Sequence, residues 1–95
     1  MQQIIKRDSS KKSFNIDKIT AAILKSMKAV NTGSHDEALN ISLQVYKLLA
    51  LRKEQDKHHL PTVEEVQDIV ETKLMESKFT EAAKAYILYR NRRSQ

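Results

Sequence analysis

Apolar residues recur at helical spacing along four successive segments of this chain, and this pattern constrains the fold more than any other feature. In the first segment Ile19, Ile23 and Met27 lie four residues apart, which places them on one face of a helix. A chain of 95 residues has room for one compact domain, so the helices must pack on one another. The predicted helices span about residues 17–31, 35–52, 63–77 and 80–93.

Capping signals separate these predicted helices. Gly33, the only glycine, is expected to end the first helix in the left-handed conformation. Ser34 and Glu37 form the Ser-x-x-Glu pattern of a capping box, and Thr62 and Glu65 repeat it further along the chain. The second and third helices therefore each have a start signal of their own.

The second helix is apolar around much of its circumference. Leu39, Leu43, Tyr46 and Ala50 share one side and give it an apolar face. Three more apolar residues widen this face: Ile41, Val45 and Leu48. A face of this width indicates contact with more than one neighbouring helix.

Two short strands around a polar turn precede the first helix. Residues 3–7 and 13–15 read as strands, and the turn at residues 8–11 contains Asp and Ser, which favour turns. An isolated hairpin is marginal in water, so we expect this hairpin, residues 3–15, to pack on the helices. The predicted fold is mainly α (α+β): one domain of residues 1–95 with a four-helix bundle capped by a small N-terminal β-hairpin.

The positive charges are concentrated at the two ends of the chain. The first 30 residues carry seven Lys or Arg and two Asp, and the last 12 carry four cations and no acid. The residues between them carry six cations and ten acids, within a formal net charge of +5. If the fold brings both ends together, it focuses positive potential on one small site. No segment approaches the roughly 20 apolar residues of a membrane helix, so we expect a cytoplasmic domain without membrane contact.

Several classes of chemistry lack their residues here. Phosphate-binding P-loops and dinucleotide fingerprints need several glycines, and this chain has one. It has no cysteine, and its adjacent histidines His58 and His59 do not have the helical spacing of metal ligands. We find no catalytic residues and no metal site in the sequence, and what remains is an anion site without glycine loops.

The candidate site is therefore an anion site built from side-chain cations. Lys6 and Arg7 end the first strand, and Lys18 lies in the first turn of the first helix, where backbone amides also favour phosphate. Arg90 and Arg92, near the end of the last helix, could close the cluster from another side. Arginine offers a planar fork to phosphate oxygens and lysine a point charge.

Two other classes of function compete with this reading. A small basic nucleic-acid-binding or transcription-regulatory helical module would use the same terminal cations, and the sequence pI of about 9.6 favours it. The acidic middle and the lack of a recognition helix make nucleic acid an unfavoured partner. A protein-interaction adaptor would instead use the broad apolar face of the second helix.

The order and spacing of five short segments resemble one known family. The segments are Ile5-Lys6-Arg7-Asp8, Phe14-Asn15, Asp17-Lys18-Ile19, Val66-Gln67-Asp68 and Ala83-Lys84-Ala85-Tyr86-Ile87-Leu88-Tyr89-Arg90. Together they are similar to the ATP-cone, a small nucleotide-binding module attached to many ribonucleotide reductases. The resemblance covers nearly the whole chain and implies four helices capped by a small sheet, here a hairpin or three strands.

The resemblance also implies roles for individual residues. It places four cations at the triphosphate: Lys6, Arg7, Lys18 and Arg92. Four apolar residues match positions that line the adenine pocket: Ile5, Phe14, Ile19 and Val66. Asn15 and Gln67 match polar positions near the base or sugar. The implied ligand is ATP or dATP, an allosteric effector bound with Mg²⁺.

The implied function is regulation of a ribonucleotide reductase rather than catalysis. The expected partners are adenine nucleotides and a reductase catalytic domain or subunit, with a nucleotide-dependent oligomer as the response. Among the reductases, the anaerobic class is the most similar in overall pattern.

Two positions depart from the family pattern. The family commonly has glycine after Lys-Arg-Asp, whereas this chain has Ser9, which accepts a positive φ less easily and predicts another turn type. Lys12 stands where some members have an acid, and no role is assigned to it.

Overall fold

The computed structural model describes residues 3–6 and 9–93, and the side chains of all of these except residues 92 and 93. Two short strands come first, β1 (Gln3–Ile5) and β2 (Lys11–Ser13), and four helices follow them. The helices are α1 (Ile16–Ala29), α2 (His35–Gln55), α3 (Val63–Glu76) and α4 (Thr80–Arg93). The predicted mainly α fold with four helices and an N-terminal hairpin is confirmed.

The helices form a closed ring of neighbours. α1 packs on α2 and α4, and α3 packs on the same two helices. As expected from its wide apolar circumference, α2 contacts more than one helix. The shared core consists mostly of aliphatic side chains that are nearly inaccessible to solvent: Ile23, Met27, Ile41, Val45, Leu49, Val70 and Leu74.

The buried residues of α2 are only part of the predicted apolar face. Leu39, Leu43 and Tyr46 are 36%, 44% and 45% exposed, whereas Ile41 and Val45 are buried. Both sets have helical spacing, and only the position of α1 and α3 decides which of them enters the core. The structure therefore buries two residues that widen the predicted apolar face and exposes three that define it.

A buried hydroxyl pair also joins α1 to α2. The side-chain oxygens of Thr20 and Ser42 lie 2.7 Å apart, and each lies 3.0 Å from the carbonyl oxygen four residues earlier in its own helix. Both polar groups are thus satisfied inside the bundle, as buried hydroxyls require.

The helix starts follow the predicted caps. The Ser34 hydroxyl accepts the Glu37 amide, which is the N-cap half of a capping box, and it donates to the Glu37 carboxylate. The Thr62 hydroxyl accepts the Glu65 amide, but the Glu65 carboxylate is bonded to Arg52 and His59 instead. The second box is therefore only half formed.

The end of α1 uses a different residue from the one predicted. Asn31, with φ 55°, takes the left-handed position after the helix, and the Thr32 amide donates to the Met27 carbonyl. Gly33 lies two residues further on, with φ 73°. The expectation that Gly33 is the helix stop is wrong, although its positive φ is present.

The hairpin lies against the start of α3. β1 and β2 are antiparallel, with Ile4 opposite Lys12. The Ile5 amide donates to the Pro61 carbonyl at 2.9 Å, and Ile5 forms an isolated parallel bridge with Thr62. A possible third strand is thus reduced to one bridge. At the hairpin tip Ser9 has φ 69°, so the left-handed conformation that we expected serine to avoid is present.

Candidate functional site

A cavity of about 490 Å³ lies between the hairpin and helices α1, α3 and α4. Its volume is within the range of small-molecule sites in proteins. The hairpin, the segment that follows β2 and the three helices all contribute to its lining. The lining residues are Ile4, Lys12, Phe14, Asn15, Lys18, Ile19, Ala21, Ala22, Lys25, Val63, Val66, Gln67, Tyr86 and Tyr89.

Apolar side chains from three elements form the walls of this cavity. Phe14, Ile19 and Val66, which the sequence assigned to a base pocket, all lie on the lining. Phe14 and Val66 are each only 6% exposed, so the wall they form is part of the hydrophobic core. Such a slot suits a flat, mostly apolar group better than a hydrated one.

Ile4, and not Ile5, lines the cavity. Successive residues of a strand point to opposite faces, so only one of two adjacent isoleucines can face the helices. Ile4 lies opposite Lys12 in the hairpin. Phe14 follows Lys12 by two residues and therefore shares its face. The register of the hairpin, combined with an inward Phe14, could have identified Ile4 from the sequence.

The Gln67 side chain places a polar atom at the buried part of the cavity. Its Oε1 atom is inaccessible to solvent and, among the described residues, has no hydrogen-bond partner. A buried acceptor without a donor costs roughly 1–3 kcal/mol, so native structures rarely leave one unpaired. The Gln67 oxygen is therefore a buried acceptor, on a residue of the cavity lining, for which the described residues supply no donor.

Asn15 has a structural task at the mouth of the cavity. Its Oδ1 atom accepts the Asp17 amide at 2.9 Å and caps α1. The side-chain oxygen is thus engaged, and the Nδ2 amide remains as a donor for a ligand.

Three lysines surround the cavity, of which the sequence assigned only Lys18. Lys25 follows Lys18 by seven residues on α1, which is two helical turns and therefore the same face. Lys12 reaches the lining from β2. The seven-residue spacing on α1 was a signal that could have identified Lys25.

The other predicted phosphate cations are not placed on the cavity by the described residues. Lys6 is exposed beyond the end of β1, and its backbone amide donates to the Ser10 carbonyl at 2.8 Å. Arg7 lies outside the described residues. Arg92 belongs to α4, but its side chain is outside the described part of the structure.

Arg90 does not close the cation cluster as we expected. Its Nη1 atom lies 2.8 Å from Asp68 Oδ1 and also contacts the Glu71 carboxylate. Burial alone would lower the pKa of Arg90, but its hydrogen bonds to Asp68 and Glu71 raise that pKa overall. Arg90 therefore ties α4 to α3 rather than pointing into the cavity, and that expectation is wrong.

Two tyrosines of α4 complete the lining. The rings of Tyr86 and Tyr89 lie 6.4 Å apart, and Lys25 Nζ lies 5.0 Å from the centroid of the Tyr89 ring. Burial raises the pKa of Tyr86 to about 12, although the nearby Arg90 charge lowers it in part. The Tyr86 hydroxyl thus stays protonated near neutral pH and can donate a hydrogen bond.

The described residues contain neither a metal cluster nor a membrane-spanning helix. No group of three His, Asp or Glu side chains converges in this part of the chain. None of its helices is long and apolar enough to cross a membrane. A second, more polar hollow of about 310 Å³ lies between α2 and α3 and is lined by Arg52 and Glu65 among others.

The family model of the ATP cone domain matches residues 2–95, so the chain belongs to the ATP-cone family. The resemblance inferred from the five short segments is thereby confirmed. The hairpin, the segment after it and helices α1, α3 and α4 line the cavity described above.

Curated relatives of the chain are ribonucleotide reductases. It is 40% identical to the vitamin B12-dependent ribonucleoside-diphosphate reductase of Thermoplasma acidophilum over 98% of the chain. It is 37% identical to the anaerobic ribonucleoside-triphosphate reductase of Haemophilus influenzae over 95% of the chain. It is 35% identical to the ribonucleoside-diphosphate reductase subunit alpha of Chlamydia pneumoniae over 97% of the chain. The chain spans only 12%, 12% and 9% of these proteins.

Proposed function

We propose that this domain binds ATP or dATP in the cavity between the hairpin and the helices, and that the bound nucleotide regulates a ribonucleotide reductase. The observation that carries the proposal is the unpaired, buried Gln67 oxygen inside an apolar slot. Membership in the ATP-cone family and the reductase relatives support it. The domain acts as a regulator and has no reaction of its own in this proposal.

The base would occupy the slot between Phe14, Ile19 and Val66. Adenine is flat, so it can fill such a slot, and its exocyclic amine is a donor that the Gln67 oxygen lacks. The Asn15 amide, left over from capping α1, is available as a donor to the base or the sugar. Ile4 replaces Ile5 as the β1 residue in contact with the base.

The triphosphate would lie toward the lysines of the lining. Lys18 would be the central contact, and Lys12 and Lys25 also line the cavity. Lys6, Arg7 and Arg92 remain proposed contacts from the hairpin tip and the end of α4. Lysine ammonium groups act as mobile point charges, so several of them can follow a flexible triphosphate.

Mg²⁺ would enter with the nucleotide rather than bind to the empty domain. Among the described residues that line the cavity, none carries a carboxylate that could hold the ion. Mg²⁺ commonly keeps water and phosphate oxygens as ligands, which is compatible with a site of lysines. The ion would neutralise part of the triphosphate charge.

ATP and dATP differ by one ribose hydroxyl, so regulation requires that they favour different conformations or assemblies. The responding partner would be the catalytic domain or subunit of the reductase, through a nucleotide-dependent oligomer. The anaerobic class remains one candidate among the reductases, because the relatives include several classes. A cytoplasmic location is part of the same proposal.

Calorimetric titration with ATP and with dATP in the presence of Mg²⁺ tests the proposal. Both should bind, and Lys18→Ala and Gln67→Leu should each weaken binding about tenfold, because each removes a charged or buried polar contact. Lys47→Ala is the matched control, since Lys47 is exposed on α2 and lies off the cavity lining. Lys6→Ala tests the hairpin contact. Lack of binding by the unaltered chain would refute the proposed function. Binding that survives both cavity substitutions would refute the site.

A further inference from the structure

An exposed apolar stripe runs along α2. Leu39, Leu43 and Tyr46 are each more than a third exposed, and with Ala50 they recur at spacings of four, three and four residues. That spacing keeps all four on one side of a helix. Contiguous exposed apolar side chains of this kind mark interaction surfaces more often than isolated ones do.

The stripe has the same chemistry when read in either direction. Turning α2 end for end about a point between Gln44 and Val45 exchanges Leu43 with Tyr46 and Leu39 with Ala50. Two copies of the helix packed antiparallel would therefore bring apolar side chains together along the whole stripe. A two-fold interface requires this self-complementarity, because the same patch serves both partners.

The charged residues at the ends of α2 follow the same symmetry. The operation that exchanges Leu43 with Tyr46 also exchanges Asp36 with Lys53 and His35 with Glu54. Asp36 of one copy thus lies at the same height along the pair as Lys53 of the second copy. A parallel pairing would instead place Asp36 beside a second Asp36.

Lys53 can reach across such an interface. Its Nζ lies 3.4 Å from the His59 carbonyl oxygen, a long contact that occupies at most one of its three donors. Asp36 is exposed in the first turn of the helix. Both partners of the proposed ion pair therefore retain capacity for a contact with a second chain.

We infer that this face of α2 docks onto the same face of a second copy of the chain, antiparallel and about a two-fold axis near Gln44 and Val45. The pairing needs no nucleotide, so it goes beyond the proposed function, and the two can fail separately. One helix stripe covers less than the roughly 800 Å² per partner of a standard interface. Association is therefore expected only at high protein concentration.

Sedimentation velocity of the nucleotide-free chain between about 10 µM and 1 mM tests the pairing, since weak interfaces dissociate in this range. The unaltered chain should shift from monomer toward dimer. Asp36→Lys and Lys53→Glu should each weaken the dimer about tenfold or more, because each places like charges opposite one another twice. Leu43→Glu should abolish it.

The double variant Asp36→Lys with Lys53→Glu decides the orientation. It restores both ion pairs with reversed polarity. The dissociation constant of its dimer should therefore lie within about threefold of that of the unaltered chain, a difference of under 1 kcal/mol. Both changes are unfavourable for the helix dipole, so a general loss of helix stability cannot produce that rescue.

Glu37→Lys is the matched control, because it makes the same charge change one residue along, about 100° further from the stripe. It should leave association unchanged. A chain that stays monomeric throughout the range would overturn the inference. The inference would also be overturned by a double variant that dimerises no more tightly than the single variants, or by a Glu37→Lys variant that dimerises as weakly as Asp36→Lys.

Discussion

The rings of Phe14 and Tyr46 pack 5.8 Å apart at an interplanar angle of 46°. Phe14 forms a wall of the cavity, and Tyr46 supports it from the exposed side of α2. The cavity between the hairpin and the helices and the apolar stripe of α2 are therefore joined by one aromatic contact. A change on the outside of the helix can reach the cavity wall through these two rings.

Tyr46→Ala should weaken ATP binding although Tyr46 does not line the cavity. Loss of an aromatic pair costs about 0.5–1.5 kcal/mol, and a freed Phe14 would hold the base less well, so we expect up to about tenfold lower affinity. Titration calorimetry measures this. Leu88→Ala, at an exposed apolar position on α4, is the control and should leave affinity unchanged. Equal affinities of the chain and the Tyr46 variant would show that the ring contact does not support the site.

Gly33→Ala should destabilise the fold. Gly33 has φ 73°, and a Cβ atom there would overlap the Met27 side chain, which is fully buried. Strained backbone and overpacking together should cost about 2 kcal/mol, measured by urea unfolding.

A substitution at Lys78 should have the opposite effect on stability. Lys78 also has a positive φ, 67°, at the end of α3. Because glycine adopts this conformation without a Cβ penalty, Lys78→Gly should stabilise the fold by about 0.5–1 kcal/mol. A Gly33→Ala variant as stable as the unaltered chain would contradict the packing seen at Met27.

Arg90→Ala should lower stability and leave nucleotide affinity largely intact. Arg90 joins α4 to Asp68 and Glu71 of α3, and its side chain is only 14% exposed. Removal leaves two neighbouring carboxylates without their cation, which should cost about 2 kcal/mol in unfolding free energy. A large loss of ATP affinity with unchanged stability would instead make Arg90 a ligand contact.

The free energy of unfolding should fall at acid pH because the Glu65 carboxylate becomes protonated. Burial alone would raise the pKa of Glu65, but hydrogen bonds from Arg52 and His59 lower it overall below 4.5. A carboxyl with a depressed pKa stabilises the fold fully above its ordinary value and loses that contribution as pH falls through the lowered pKa. We therefore expect Glu65→Gln to cost about 1 kcal/mol near neutral pH.

The measurement for Glu65 is the difference in unfolding free energy between the chain and Glu65→Gln at several pH values. The difference should be largest above pH 4.5 and should shrink as the solution becomes more acidic. A difference that does not change with pH would exclude the ionised carboxylate as its source.

Local signals predicted the elements of this fold better than their packing. Ser34 and Thr62 identified two helix starts, because capping depends on residues only three positions apart. The choice between the two apolar faces of α2 depends on where α1 and α3 lie, and helical spacing carries no such information. For that reason the sequence placed Tyr46 on the same apolar face as Val45, whereas the structure exposes Tyr46 and buries Val45.

The sequence predicted those residues of the candidate site that lie in the family motifs. It missed features that depend on the hairpin register or on partners far away along the chain. Phe14, Ile19, Val66, Gln67 and Lys18 converge on one cavity as a group. The shift from Ile5 to Ile4 depends on hairpin register. The role of Arg90 depends on acids 19 and 22 residues away on another helix, and no local pattern marks that pairing.

The most direct test of the proposed site is a nuclear magnetic resonance titration of the chain with ATP and Mg²⁺. The account predicts concentrated chemical-shift changes at Phe14, Ile19 and Val66, together with a shift of the Gln67 side-chain amide as its oxygen gains a donor. Changes confined to the hollow around Arg52 and Glu65, or no changes at all, would contradict it.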